Sequence, residues 1–307
     1  MPPLAILLVV SSAFAHASWN LMVRRATRPA VTTGLMAVTS AILVLPLAIY
    51  ILIVDFPSGT GWWFILATIV LHIWYFATLG YAYNTGDLSI VYPVARGLGL
   101  AIIPILGVFV VGESMSWPAA VGAALIVTGL VFVAMSDIET ATIKRTVRSW
   151  WMLVRRWRAV KRFRSQVRPA WMLAILTGLV IGIYSVVDAQ GVRHVQPALY
   201  MFFLQFGGGL GMMAIQSRIE TRDAFIDEAR RHWKILVVGG LLQFAAYTLV
   251  LTALTFSPVS YVGPFREISI LVAVAYGAVV LKERVSPTRA LGAICIAGGG
   301  VTIALAP

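Results

Sequence analysis

The chain has 307 residues, of which 60% are hydrophobic and 12% are charged. A soluble domain carries about 25% charged residues, so this composition excludes an ordinary soluble enzyme and indicates a membrane protein with several spans. A net charge of +12 would suggest nucleic-acid binding in a soluble protein. Here the basic residues lie in loops between apolar segments, and no nucleic acid is predicted as a partner.

Ten apolar segments are long enough to cross a bilayer. We predict that all are helices, because only helices and closed barrels satisfy the backbone in lipid, and no segment alternates like a barrel strand. The predicted spans are 4–22, 31–54, 62–83, 88–111, 117–135, 170–189, 198–216, 235–256, 259–281 and 288–306. The first span has a signal-peptide alternative, but it lacks the basic residues that begin a signal peptide.

The second half of the chain repeats the first. Residues 112–129, GESMSWPAAVGAALIVTG, align with residues 282–299, KERVSPTRALGAICIAGG, at an offset of 170. Each half contains five spans, an odd number, so the two copies must enter the membrane in opposite directions. The predicted fold class is therefore an all-α polytopic membrane protein with ten transmembrane helices in two inverted repeats. The predicted domains are 1–142 and 169–307, joined by a linker over 143–168.

The linker holds ten basic residues, with valines and tryptophans mostly three or four positions apart. This spacing favours an amphipathic helix lying on anionic lipid, and a linker made basic by topology alone is the alternative. Residues 217–234 mix acidic and basic side chains and predict a solvated surface helix. The loops after spans 1, 5, 7 and 9 carry nearly all of the 24 Lys and Arg. The positive-inside rule therefore places these loops in the cytoplasm and both termini outside. The predicted location is the plasma (inner) membrane of a bacterium.

Two inverted repeats of five spans, each with a glutamate-containing turn before its last span, resemble the EamA type of the drug/metabolite transporter superfamily. The markers are Ala17-Ser18-Trp19-Asn20 in span 1, Gly112-Glu113 before span 5 and Lys282-Glu283-Arg284 before span 10. The resemblance implies a cavity lined by spans 1, 3, 4, 6, 8 and 9, with spans 5 and 10 at the periphery. Many such proteins are similar to exporters of amino acids or other small metabolites. Their N-termini are commonly cytoplasmic, opposite to the prediction from charge.

Arg96 and Glu267 are the first candidates for a transport site. Each lies about eight residues into its span, which places both near the membrane midplane. A charge at that depth costs roughly 2.5–3.5 kcal/mol and usually marks a pathway or a buried partner. We predict that the two approach each other across the cavity. They either bind substrate, with Arg96 on a carboxylate or phosphate and Glu267 on an amine or proton, or form an ion pair that holds spans 4 and 9 together. Arg266 either binds an anion or pairs with Asp188.

Other polar side chains are predicted to line the same cavity. His16, Trp19 and Asn20 share a face of span 1. Tyr92 lies one turn before Arg96, and Gln243 and Tyr247 lie four positions apart in span 8. The predicted substrate-binding set is Arg96, Glu267, Tyr92, Trp19, Asn20, His16, Gln243, Tyr247 and Arg266. The candidates for ion coupling are Glu267, Asp188 and His16. A packing role for His16 and a solvated helix-end position for Asp188 are the alternatives.

Motifs of the common enzyme classes are absent from the sequence. It contains no GxxxxGK[ST] phosphate loop, no HExxH and no GxSxG, and no cofactor, metal site or catalytic activity is predicted. We predict a secondary transporter that moves a small polar metabolite, an amino acid or a related compound, by alternating access, in the export direction. The alternatives are a membrane-embedded enzyme acting on a lipid or isoprenoid carrier, and a lipid-binding scaffold that transports nothing.

Overall fold

The computed structural model describes residues 1–85, 88–149, 157–280, 282 and 285–307. The side chains of these residues are described except over 79–94 and 136–171. The helices of the first half are α1 Pro3–Val23, α2 Pro29–Val54, α3 Gly59–Thr85, α4 Leu88–Phe109 and α5 Trp117–Ser149. Those of the second half are α6 Trp157–Gly191, α7 Pro197–Gln216, α8 Arg222–Lys234, α9 Gly240–Leu254, α10 Val259–Phe265, α11 Ser269–Val279 and α12 Pro287–Leu305. A π-helical turn, Ile235–Gly239, precedes α9, and a 3₁₀ turn, Arg266–Ile268, joins α10 to α11.

In the described part of the chain, nine helices are long and apolar enough to cross a membrane, and Ala95–Phe109 of α4 is a shorter apolar helix. These elements correspond to the ten predicted spans. Span 8 consists of the π-helical turn and α9, span 9 of α10, the 3₁₀ turn and α11, and span 10 of α12. The prediction of an all-α polytopic membrane protein is confirmed.

The predicted linker largely continues the membrane helices on either side of it. α5 extends to Ser149 and α6 begins at Trp157, whereas their apolar membrane segments are Trp117–Met135 and Met172–Gly191. Residues 150–156, and all side chains of the linker, lie outside the described residues. Binding of anionic lipid by this segment therefore stays a prediction.

α5 and α12 cross through glycines. A Cβ atom at Gly122 would lie 2.8 Å from the carbonyl oxygen of Gly299, and one at Gly129 would lie 2.6 Å from that of Gly292. The sequence repeat matches Gly122 with Gly292 and Gly129 with Gly299, so a two-fold rotation exchanges the two contacts. Close approach at small residues is how membrane helices associate. This crossing shows the inverted relation of the two repeats directly.

Two turns repeat in the same way. Gly112 has φ +78° and Lys282 has φ +54°, and the offset of 170 places them at equivalent positions. The left-handed conformation is natural for glycine and costs roughly 1 kcal/mol for lysine. Retention of this backbone shape in spite of the cost indicates that both halves need the same sharp turn before their last span.

A break in span 9 positions the charged residues of the second half. Pro264 cannot donate a backbone hydrogen bond, and the chain tightens into a 3₁₀ turn that contains Arg266 and Glu267. Just before it, α10 packs closely on α4, since a Cβ atom at Gly263 would lie 2.5 Å from Cγ2 of Ile103. The close contact brings the turn next to the helix that carries Arg96.

Candidate functional site

A cavity of about 560 Å³ lies among the helices. Its wall includes Arg96 and Glu267 and extends to Pro29 and Gln216, at the ends of α2 and α7 next to loops 24–28 and 217–221. The cavity therefore opens toward those loops, and we call this the open side. Pockets for small ligands measure roughly 300–1,000 Å³, so the volume suits a small metabolite.

The wall contains residues from α1, α2, α3, α4, α6, α7, α9 and the segment 266–269, and none of its described residues comes from α5 or α12. The peripheral position of spans 5 and 10 agrees with the family resemblance. The implied set of six lining spans was incomplete, because α2 and α7 also line the cavity. These two helices meet at small residues, where a Cβ atom at Gly209 would lie 2.9 Å from that of Ala37. Because these side chains are short, α2 and α7 can pack closely and form part of the wall without occupying the cavity.

Arg96, Glu267 and Arg266 form a charged cluster in this wall. Nε of Arg96 donates a hydrogen bond of 2.7 Å to Oε2 of Glu267, and Nε of Arg266 lies 3.6 Å from Oε1. The glutamate is 1% exposed, and the arginines are 22% and 17% exposed. The predicted contact between Arg96 and Glu267 is confirmed. With two cations and one anion, the cluster has a formal charge of +1.

The other predicted lining residues whose side chains are described are also in the wall. His16, Trp19, Asn20, Gln243 and Tyr247 all line the cavity. The side chain of Tyr92 lies outside the described residues, and its role stays a prediction. The ring of His16 makes an edge contact with that of Trp19, with centroids 5.1 Å apart.

Three buried polar atoms, on side chains of residues that line the cavity, have no hydrogen-bond partner among the described residues. They are Nε1 of Trp19, Nε2 of Gln205 and Oε1 of Gln243. The amide oxygen of Gln205 is already occupied by the hydroxyl of Ser40. Buried polar groups nearly always have partners, so these residues hold two donors and one acceptor that the described contacts leave unused.

Asp188 lies behind Tyr247 rather than in the wall of the cavity, and it is fully buried at 0% exposure. Its Oδ1 accepts hydrogen bonds from Thr68 (2.6 Å) and Tyr200 (2.9 Å), and its Oδ2 accepts one from Tyr247 (2.5 Å). The solvated helix-end position considered for Asp188 is therefore wrong. The alternative pair with Arg266 is not formed in the described part of the structure, where Arg266 contacts Glu267.

On the side opposite to the opening, which we call the closed side, Glu113 caps the first turn of α10. Its two carboxylate oxygens accept hydrogen bonds from the backbone N–H groups of Val259 (2.8 Å) and Ser260 (2.9 Å). Beside it, the Tyr261 hydroxyl accepts a hydrogen bond from the backbone N–H of Ser116 at 3.0 Å. A carboxylate at a helix N-terminus is stabilised by the helix dipole and by charge-assisted hydrogen bonds. The turn before span 5 thus joins the first repeat to the second on the closed side.

On the open side, Glu228 of the surface helix α8 holds the beginning of α2. It accepts hydrogen bonds from the Thr32 hydroxyl (2.7 Å) and from the N–H groups of Thr27 (3.1 Å) and Arg28 (3.2 Å). Desolvation acts to raise the pKa of Glu228, but the hydrogen bonds from Thr32 and Arg28, with the nearby charge of His232, outweigh it and lower the pKa. The carboxylate is therefore held in its ionised form.

Sequence reasoning missed several of these residues. His72, whose Nδ1 contacts Thr68, lines the cavity, and a histidine in an apolar span was a signal that went unused. Thr68 and Tyr200 gave no signal, because a hydroxyl in an apolar helix is common. The roles of Glu113 and Glu228 depend on contacts between distant segments, although Glu113 was already a family marker.

Comparison with known proteins agrees with this architecture. The chain belongs to the EamA-like transporter family, whose model matches residues 3–135 and residues 168–305. It is therefore a multi-pass membrane transporter. A solved crystal structure superimposes on it with a TM-score of 0.74, covering 98% of this chain and 97% of that chain at 16% sequence identity. At that identity the likeness shows the fold alone.

One curated relative is the nicotine metabolites export pump subunit NepA of Paenarthrobacter nicotinovorans. It is 41% identical to this chain over 56 residues, which cover 18% of this chain and 48% of that protein. The chain thus matches about half the length of this relative, which is named as an export pump subunit.

Proposed function

We propose that the protein exports a small polar metabolite, an amino acid or a related compound, by alternating access around the cluster of Arg96, Glu267 and Arg266. The observation that carries this proposal is the position of the cluster: opposite charges from the two inverted repeats meet in the wall of one cavity. The members of the family are transporters, and the proposal assigns no catalysis to the chain.

The charges favour a cargo with a carboxylate. A carboxylate can take the place of Glu267 on Arg96, and an ammonium group can take the place of Arg96 on Glu267, so a zwitterion leaves no buried charge without a partner. Arg266 keeps the cluster at +1, and an arginine fork binds a carboxylate well. Trp19, Gln205 and Gln243 line the same cavity and carry polar atoms that are not paired among the described residues.

The asymmetry of the two sides supports alternating access. The cavity opens next to loops 24–28 and 217–221, while contacts such as the Glu113 cap join the repeats on the closed side. In an inverted repeat, exchanging the conformations of the two halves closes one side and opens the other. If the basic loops are cytoplasmic, this conformation faces inward and receives cargo from the cytoplasm of a bacterial cell. The name of the export pump relative supports the same direction.

A screen for cargo tests the proposal. The purified chain is heated with a panel of amino acids, amines and organic acids, and ligands that raise its unfolding temperature are then tested as cargo in proteoliposomes. We expect at least one carboxylate-containing compound to stabilise the protein and to be transported. Absence of transport for the whole panel, with and without a pH gradient, would contradict the proposal.

A further inference from the structure

We propose that Asp188 is a proton-binding site, loaded from the cavity through His72 and Thr68, and that Tyr247 transmits its protonation state back to the cavity. This inference rests on the proposed transport function, because it names the ion that would drive it.

Among the buried carboxylates next to the cavity, Asp188 is the one suited to exchange a proton. Glu267 is ionised between Arg96 and Arg266, and protonating it would leave two arginines competing for a neutral group. Asp188 has only hydroxyl donors among its described hydrogen bonds: Thr68, Tyr200 and Tyr247. Hydroxyls can reverse their direction and accept from a protonated acid, so this shell accommodates both protonation states.

The hydrogen bonds define a path into the site. The Thr68 hydroxyl gives its hydrogen to Oδ1 of Asp188, so it can only accept from Nδ1 of His72, 3.1 Å away. The carbonyl oxygen of Thr68, 2.9 Å from the same nitrogen, can also only accept. Nδ1 of His72 therefore carries the hydrogen, and Nε2 is the basic nitrogen of the ring. Because His72 lines the cavity, a proton has access to this ring from the cavity.

The transfer along this path delivers one proton to Asp188, and the number of hydrogens on His72 and Thr68 is the same before and after. It binds Nε2 of His72, the ring releases its Nδ1 hydrogen to the Thr68 oxygen, and the original Thr68 hydrogen moves to Oδ1 of Asp188. The imidazole ends in its other tautomer, and Asp188 is neutral. Return of the proton reverses these steps when the cavity faces the opposite solution.

Tyr247 links this event to the cavity, because the residue lines the wall and its hydroxyl donates to Oδ2 of Asp188. A hydrogen bond to a carboxylate is roughly twice as strong as one to a neutral acid. Protonation of Asp188 thus frees the Tyr247 hydroxyl to donate to a cargo carboxylate. Tyr200 binds the same aspartate but is absent from the wall, so it cannot report to the cavity.

Other titratable or charged groups lie near the site on the neighbouring elements. On α3, the ring of Tyr75 lies 5.9 Å from that of Tyr184, and Arg266 acts electrostatically on His72. On α6 itself, the ring of Tyr184 lies 4.3 Å from that of His72. Arg96 of α4 and Arg266 of the 3₁₀ turn act electrostatically on Tyr184, and Tyr261 of α10 is bound to Ser116. From α7 and α9, the hydroxyls of Tyr200 and Tyr247 donate hydrogen bonds to Asp188.

Infrared difference spectroscopy of the purified full-length protein after a pH jump tests the proposal with protons as the only ligand. We expect the carbonyl band of a buried protonated carboxylic acid to titrate, to shift when aspartate carboxyls carry ¹³C, and to vanish in Asp188→Asn. The isotope shows independently of that variant that the band comes from an aspartate, and Asp188 is the buried one among the described aspartates. His72→Phe should slow the appearance of the band at least tenfold. A band that survives Asp188→Asn, or an unchanged rate in His72→Phe, would overturn the proposal.

The tyrosine bands in the same spectra test the link to the cavity. We expect a pH-dependent tyrosine band that Tyr247→Phe removes and that the exposed control Tyr50→Phe retains. A pH-dependent carboxylic acid band without a matching tyrosine band, or a tyrosine band that persists in Tyr247→Phe, would refute the link. If the band titrates as expected but the protein transports nothing in the panel, the proton site stands and the transport function fails. If the protein transports cargo but the band is missing, the transport function stands and the proton site fails.

Discussion

Arg96 and Glu267 are separated by 171 residues along the chain, yet their side chains are joined by a hydrogen bond of 2.7 Å. They occupy nearly equivalent positions in the two inverted repeats, so the pseudo-symmetry that relates the halves brings a cation onto an anion. The pair is at once a link between α4 and the 3₁₀ turn of span 9 and the most polar part of the cavity wall. These two properties lead to different expectations for variants.

Exchanging the two charges separates the roles. Removing one partner of a buried ion pair costs about 3–5 kcal/mol, so Arg96→Glu and Glu267→Arg should each lower the unfolding temperature strongly. The double variant, in which both charges are exchanged, should recover much of the stability because an ion pair can form again. We expect it not to recover transport, since the cargo would meet the charges in reversed order. Recovered transport of the same cargo would instead favour a purely structural ion pair.

The crossing of α5 and α12 predicts a difference between adjacent glycines. A Cβ atom at Gly299 would lie 2.5 Å from the carbonyl oxygen of Gly122, whereas one at Gly298 meets nothing within 4 Å. Overpacking typically costs about 1–3 kcal/mol, so Gly299→Ala should lower the unfolding temperature. Gly298→Ala is the matched control. Equal unfolding temperatures for the two variants would show that α5 and α12 do not approach each other this closely at Gly299.

The hydrogen bonds from α10 to Glu113 predict that removing the charge of this residue makes the closed side more accessible. Glu113→Gln removes the negative charge that holds the first turn of α10, so contacts there should open more often. With Cys295→Ser as background, a cysteine replacing the buried Leu254 at the end of α9 should react with a maleimide several-fold faster. Asp55→Asn, which removes an exposed carboxylate beside the end of α2, should leave the rate unchanged. A rate unaffected by Glu113→Gln would argue against the cap as part of the seal.

The hydrogen bonds that Glu228 accepts predict how the stability of the protein depends on pH. The pKa of Glu228 in the folded protein is lowered from the ordinary value of 4.5. Its contribution is therefore complete above that ordinary value and is lost as the pH falls through the lower folded-state pKa. Glu228→Gln should reduce stability by about 1–3 kcal/mol at pH 7, and the deficit should shrink in acid. Asp227→Asn, the exposed neighbour, is the charge-matched control in thermal unfolding curves. A deficit that stays constant down to pH 3 would contradict this role.

Much of the architecture could be predicted from the sequence, because a membrane span is a local property. Runs of apolar residues gave the spans, and the spacing of Glu113 and Glu283 with matching glycines gave the repeat. The contact between Arg96 and Glu267 followed from that repeat. The hydroxyls around Asp188 come from three other helices, and no local pattern specifies such a meeting. The lining by α2 and α7 was missed for a similar reason, because small residues such as Gly209 mark close packing as well as a cavity wall.

The central claim is that the cluster around Arg96 and Glu267 binds what the protein transports. The most direct test is the rate of cargo movement in proteoliposomes that contain wild type or the double variant Arg96→Gln and Glu267→Gln. The double variant leaves the net charge unchanged and leaves neither member of this pair ionised. We expect its transport rate to fall at least tenfold while the protein remains folded. An unchanged rate in a folded double variant would contradict the claim.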